Sequence, residues 1–395
     1  MNPAVRSGPV MSPTDAAHAT TPGSSLSLRA KNALDGLMPA NRMPRPSPTR
    51  PRIAAALAAA SVSAVLLLAS CAPAPNPVSA PASESFVDEL EAPWSIAFHG
   101  DAALVSERDS ARVLEVGETG EVHEVAVIDG VEPGGEGGLL GLAVSDGELF
   151  TYFTAQGENR VERRTIVGDA GGLSLGSATV VIDGIPAAGN HNGGRIAFGP
   201  DGMLYVTTGD AGDRDSAQDL DALSGKILRL TPEGEVPADN PFDDSPVYSY
   251  GHRNPQGITW DAEGGMYASE FGQDTWDELN VIEPGGNYGW PEVEGIADDS
   301  DYIDPVQQWR PETASPSGIA VTGSSIVIAN LRGERLRTVP LDDLTAGTEQ
   351  LVGEFGRLRD VVVGPGGDAW ILTNNTDGRG DPSDGDDRIL RLSLD

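Results

Sequence analysis

GNHNGGRIAFGPDGMLYVTTGD, residues 189–210, contains one whole structural unit of this chain. A polar turn holding His191 leads into a short apolar run at 195–199. Pro200, Asp201 and Gly202 then supply turn chemistry, because proline presets φ while aspartate and glycine accept a tight reversal. Residues 203–208 return as a second apolar run, and Gly209-Asp210 opens another polar turn. Such a hairpin carries two polar loops at one end, with His191 in one and Asp210 in the other.

The unit recurs. PWSIAFHGDAALVSERD (93–109), GLLGLAVSDGELFTYFTAQ (138–156) and GGRIAFGPDGMLYVTTGD (193–210) share its pattern. So do PQGITWDAEGGMYASEFG (255–272), PSGIAVTGSSIVIANLRG (316–333) and RDVVVGPGGDAWILTNNTDG (359–378). Aligned on Ser95, Gly141, Arg195, Gly257, Gly318 and Asp360, the copies are 46, 54, 62, 61 and 42 residues apart. Further strand-like pieces follow each copy, among them ARVLEV, GKILRL, DELNVI and DRILRL. Four short strands per repeat, at a period above 40 residues, predict an all-β, six-bladed β-propeller.

In a propeller the innermost strand of each blade lines the axial channel. The loop entering that strand and the loop leaving the next one open on the same face. Polar residues of those loops therefore converge at one mouth, whatever their separation in sequence. They are Glu136, His191, Asp210, Arg253, Asn254, Thr313, Arg332, Arg357 and Arg359. Arginines, carboxylates and a histidine around one opening suit an anionic ligand with a titratable group beside it.

Composition narrows the partners. The formal charge is −34, and residues 1–70 hold 7 of the 26 basic side chains but 2 of the 60 acids. The rest carries 19 bases and 58 acids, a net of −39, which repels nucleic acid. The single cysteine, Cys71, excludes an intramolecular disulfide. It closes the Leu68-Ala69-Ser70-Cys71 stretch that follows an apolar run at 53–68, itself preceded by Arg45, Arg50 and Arg52, a pattern resembling a bacterial lipoprotein signal with Cys71 as the lipidated residue. The expected organisation is an extension and basic region at 1–52, with Met43 a candidate start. A signal and lipobox follow at 53–71, a Pro/Ala/Ser-rich tether at 72–85 and the propeller at 86–395. Such a protein is exported and touches the membrane through a lipid anchor alone.

From Phe86 onward the chain resembles the soluble, pyrroloquinoline quinone (PQQ)-dependent glucose/aldose sugar dehydrogenases, also called glucose/sorbosone dehydrogenases. The matching motifs are GEGGLLGLA (135–143), HNGGRIAFGPDGMLYVTTGD (191–210), YGHRNPQGITW (250–260), DELNVIEPGGNYGWP (277–291), LRGERL (331–336) and RLRDVVV (357–363). The resemblance implies oxidation of an aldose at C1, with His191 as the base, Asp210 orienting it, and Arg253, next to Asn254, beside the quinone. It implies that Arg332, Arg357 and Arg359 hold the PQQ carboxylates, with Glu136 and Thr313 also near the cofactor. Calcium would be held by the carbonyls of Gly272 and Gln273, and a second calcium by Glu278 and the Tyr288 carbonyl. An electron acceptor completes the cycle.

The chain departs from the family at Phe271, where a polar side chain is usual, and at Gln273, where a proline is frequent. Glu136 and Asp215 each stand where a glutamine is usual. A propeller without PQQ, binding carbohydrate or protein at the cell surface, is the alternative that these departures favour. A lactonase-type hydrolase would need metal-ligating side chains at the channel. The loop DGRGDPSDGDDRI (377–389) lacks EF-hand spacing and reads as a solvated connection.

Overall fold

The computed structural model describes residues 84–393. Met43, the apolar run, Cys71 and the tether up to residue 83 lie outside the described residues. Within 84–393 the six repeats form six antiparallel sheets arranged as the blades of a β-propeller. No α-helix occurs among the described residues, and two 3-10 segments, Arg214–Gln218 and Pro311–Thr313, interrupt the loops.

The first blade comprises Pro93–His99, Ala102–Glu107, Arg112–Val116 and Val122–Val127. The second comprises Leu139–Ser145, Glu148–Ala155, Glu158–Val167 and Thr179–Pro186, with Ser174–Leu175 added beside its third strand. The third runs Ile196–Phe198, Leu204–Thr208, Lys226–Leu230, Val247–Tyr250. The fourth runs Pro255–Trp260, Met266–Glu270, Asp277–Ile282, Gln307–Trp309. The fifth follows with Pro316–Thr322, Ser325–Asn330, Arg335–Pro340 and Thr348–Gln350.

The sixth blade takes three strands from the C-terminal end, Leu358–Val363, Ala369–Thr373 and Ile389–Leu392. Its outermost strand is Glu84–Val87, paired antiparallel as Glu84 with Arg391 and Val87 with Ile389. The propeller therefore begins two residues inside the stretch expected to be tether. Phe86 and Phe98 both meet Trp370 edge-on, at 5.0 and 5.2 Å, so the closure is packed as well as hydrogen-bonded.

Inner strands of neighbouring blades contact one another all the way round, the sixth meeting the first. Their spacing demands glycine: a Cβ on Gly141 would lie 2.2 Å from the Gly194 oxygen, and one on Gly257 2.3 Å from the Ser317 oxygen. Five of the six inner strands also slip register by one residue near the mouth. Trp94, Gln256 and Arg359 are the extra residues in three of these bulges. A bulge frees a residue from the ladder and re-aims its side chain. Here the re-aimed side chains line the mouth.

Candidate active site

His191 lies on the loop entering Ile196–Phe198 and Asp210 on the loop leaving Leu204–Thr208, two ends of one hairpin. His191 Nδ1 is 2.7 Å from Asp210 Oδ1. Its φ of +58° is costly for a residue other than glycine, and backbone bonds hold it there. The His191 N–H donates to Glu136 Oε2 at 2.9 Å, and its carbonyl accepts from Ala211 at 3.2 Å.

Asp210 is fully buried. Oδ1 also accepts the Gly212 N–H at 2.8 Å, and Oδ2 accepts the indole N–H of Trp290 at 2.8 Å. Burial works to raise this carboxyl, but the bonds from His191, Gly212 and Trp290 outweigh it and hold it below its ordinary value. An ionised carboxylate only accepts, so the network assigns the imidazole proton to Nδ1 and the lone pair to Nε2. Asn190 Nδ2 stands 3.1 Å from that Nε2 and can donate to it.

Arg253 and Asn254 precede Pro255–Trp260. The Arg253 carbonyl accepts the Asp210 N–H at 2.8 Å, tying the two loops together. Its guanidinium Nη1 donates to the carbonyls of Gly272 at 2.5 Å and Phe271 at 3.1 Å. Nε and Nη2 reach Gln273 Oε1 at 3.3 and 3.2 Å. Burial pushes the Arg253 guanidinium below its ordinary range, against the pull of Asp210 and Glu270. Asn254 Oδ1 accepts from the Gly193 N–H at 3.0 Å and from Gln256 Nε2 at 3.2 Å.

A small pocket opens here, lined by Trp94, Arg108, Glu136, Asn192, Gly193, Gln256, Phe271, Arg359 and Arg379. Arg359 is 5% exposed, yet its donors meet only neutral oxygens. These are Gln256 Oε1 at 3.1 Å, Ser317 Oγ at 3.4 Å and Asn374 Oδ1 at 3.3 Å. Burial pushes its guanidinium down to about 9; Asp377 opposes this, while Arg357, Arg108 and Arg195 add to it. Arg195 pairs with Asp360 at 2.8 Å but leaves Nη2 without a partner. Arg357 reaches Asp377 at 3.3 Å and leaves Nε without one. Trp94 underlies two of these cations, with Arg195 at 4.4 Å and Arg359 at 5.5 Å. Buried positive charge lacking a counter-ion is destabilising, so Arg359, with the unpartnered nitrogens of Arg195 and Arg357 near it, fits an anionic group such as a carboxylated quinone.

Of the residues expected at the mouth, His191, Asp210, Arg253, Asn254, Glu136, Arg357 and Arg359 belong to this connected set. Thr313 and Arg332 are exposed and stand apart from the pocket wall. The Thr313 hydroxyl donates to the Arg310 carbonyl at 3.0 Å, and its own carbonyl accepts from Arg337. Two arginines the sequence reading passed over, Arg108 and Arg379, line the pocket instead. Each follows a blade's second strand, so the loop rule that singled out Asp210 also reaches them. Arg379 sits on the loop expected to be merely solvated, and Nη1 donates to Glu136 Oε1 at 2.9 Å. Burial works to raise Glu136, and the His191 N–H and Arg379 hold it below its ordinary value. The acid at 136 thereby stays ionised, with its charge balanced by Arg379. Asp215 is exposed on the 3-10 segment, while Phe271 is on the pocket wall.

A second small cavity is lined by Gly251, Arg253, Glu270, Gly272, Glu278, Tyr288, Trp290 and Glu294, among others. Glu278 accepts from the Gly295 N–H at 2.7 Å and from Asn280 at 3.1 Å. It lies opposite Glu270 in the strand register, and burial together with Glu270 pushes its carboxyl up. A hard cation suits that carboxylate. At Gly272 the carbonyl oxygen already accepts from Arg253, so a metal and the guanidinium compete for it. Among the described residues no three acidic, histidine or cysteine side chains are grouped to hold a metal ion. A wider groove of about 720 Å³, walled by Thr322, Ser325, Val327 and Val352, shares no residue with either cavity. It carries none of the chemistry above.

A six-bladed propeller whose axial mouth joins a carboxylate-held histidine to Arg359, a buried arginine without an ion-pair partner among the described residues, offers a proton acceptor beside a place for an anionic group. That defines the class. The chain belongs to the glucose/sorbosone dehydrogenase family, whose model matches residues 90–390. It is 50% identical to the PQQ-bound form of an aldose sugar dehydrogenase from Streptomyces coelicolor, with a TM-score of 0.76 over 78% of this chain and 96% of that one. It is 30% identical to the aldose sugar dehydrogenase YliI of Escherichia coli over 76% of this chain and 92% of that protein. Quinoprotein glucose dehydrogenase B of Acinetobacter calcoaceticus is 30% identical over 58% of this chain and 57% of its own length.

Proposed function

We propose that this protein oxidises aldose sugars at C1 to lactones with PQQ and calcium, as an exported, lipid-anchored enzyme. The observation that carries the reading is Arg359: a buried cation with only neutral partners, on the wall of a pocket next to the His191–Asp210 pair. The similarity to a PQQ-bound relative supports the same cofactor. Bound PQQ supplies the two-electron acceptor that takes hydride from C1.

His191 Nε2 takes the C1 hydroxyl proton as the C1–H bond breaks, leaving the C1=O of the lactone. Asp210 keeps Nδ1–H in place and stabilises the imidazolium that forms. Arg253 offers its guanidinium to negative charge developing on the acceptor oxygen. Arg357 and Arg359 would hold the cofactor carboxylates, with Arg108 and Arg379 beside them. The carbonyls of Gly272 and Gln273 would hold one calcium ion, and Glu278 with the Tyr288 carbonyl a second. The lipobox ending at Cys71 supports export and anchoring, and an electron acceptor then re-oxidises the enzyme.

PQQ titration of the full chain with millimolar calcium, followed by aldose-dependent reduction of an artificial dye, tests this reading. The expected result is saturable reduction that needs both additions and vanishes in His191→Ala. No PQQ binding would sink the proposal.

A further inference from the structure

We propose that Trp290 is a positioning residue of the reaction, acting through Asp210 to set the tautomer of His191. The proposal rests on His191 being the base, and its main test is independent of the cofactor.

Asp210 has two carboxylate oxygens and each has its own task. Oδ1 faces His191 Nδ1 at 2.7 Å, and Oδ2 accepts the Trp290 indole N–H at 2.8 Å. Both partners of the indole bond are buried, Asp210 at 0% and Trp290 at 6% exposure. A charge-assisted bond in such surroundings resists exchange with water. Without it, Oδ2 would be a buried, unsatisfied carboxylate oxygen. The carboxylate could then rotate or take up a proton, and either change releases Nδ1–H.

Trp290 is itself fixed from three sides. Its backbone N–H donates to the Gly251 carbonyl at 2.9 Å, and its backbone carbonyl accepts from Gln218 Nε2 at 2.7 Å. The Arg214 and Arg253 guanidiniums lie 5.1 and 5.5 Å from the ring. The indole can therefore serve as a rigid reference for the carboxylate. Its place in the sequence, 80 residues from Asp210 on the connection between the third and fourth strands of its blade, gives no hint of this.

The test compares Trp290→Phe with replacement of Trp290 by 3-benzothienylalanine, which keeps the bicyclic ring but carries sulfur in place of N–H. The five histidines of the chain make a ¹⁵N-histidine spectrum assignable, with His191→Ala identifying the resonance. We expect the wild-type spectrum to show His191 with its proton on Nδ1. Both variants should lose that single-tautomer signature, with melting of the benzothienyl protein within a few degrees of wild type. In the PQQ- and calcium-loaded enzyme kcat should fall about tenfold while the sugar KM changes less than about twofold. A benzothienyl protein that keeps the wild-type His191 signature would overturn the proposal, and it can be read even if Trp290→Phe does not fold. A chain that binds no PQQ would remove the proposed reaction but leave the spectroscopic result standing.

Discussion

The two side chains that most constrain the chemistry are Asp210 and Arg359, and each predicts a distinct failure. Asp210→Asn keeps the shape and removes the charge, so an amide can turn either its oxygen or its NH2 toward His191. Turnover should then fall by about 10²–10⁴-fold with little change in sugar KM, as for other bases that lose their orienting carboxylate. Dye-reduction kinetics check this, and turnover within twofold of wild type would exclude the pair from catalysis. Arg359→Met should act oppositely on fold and ligand. Removing an uncompensated buried charge costs the folded chain little and can stabilise it. PQQ affinity should nonetheless drop at least about tenfold, the value of one lost charge-assisted contact. Arg332→Ala, at an exposed position off the pocket wall, should leave affinity within about twofold.

At the scale of a single loop, residues 273–276 are organised by one carboxylate. Glu294 Oε1 accepts their four backbone N–H groups at 2.7, 3.2, 3.0 and 3.1 Å. Burial works to raise this carboxyl, but the four donors hold it below its ordinary 4.5. A depressed folded value means the bonds are fully present above the ordinary range and lost as pH falls through the lowered one. Amide exchange at 273–276, taken relative to the intrinsic rate at each pH, should therefore stay slow near neutrality and speed up in acid. In Glu294→Gln it should already be fast at neutral pH. Equal protection in both proteins at neutral pH would show that the carboxylate is not what orders the loop. The same loop carries Phe271, Gly272 and Gln273 against Arg253, so cofactor affinity should weaken in the same variant. Bulges operate at this scale too. Trp94 and Gln256 read as ordinary members of apolar strands, and the pairing slip turns them, with Arg359, toward the mouth.

The ring as a whole depends on Glu84–Val87, which supplies the sixth blade's outer strand from the opposite end of the described chain. Removing residues through Val87 deletes that pairing and the burial of Phe86 and Val87, worth about 1.5–3 kcal/mol for each side chain. Removing residues only through 83 leaves both intact. The longer truncation should melt roughly 5–15 °C below the shorter one, a few degrees for each kcal/mol. Calorimetry decides the matter, and identical melting would mean that the strand does not hold the ring closed.

Six copies of a turn–strand–turn–strand unit were enough to read the propeller, because strand period and turn chemistry are local properties. The same regularity placed His191, Asp210, Arg253, Asn254, Glu136, Arg357 and Arg359 at one mouth, since loop position follows from topology once the repeat is known. What the repeat could not decide was which mouth residues face inward. Thr313 and Arg332 obey the loop rule yet stay in solvent. Arg379, on a loop that reads as solvated, crosses to Glu136, and Trp290 reaches Asp210 from another blade. These outcomes depend on bulges, long connections and side-chain pairing across blades. Such contacts form only when the ring closes, because their energies belong to pairs of residues that local sequence never brings together.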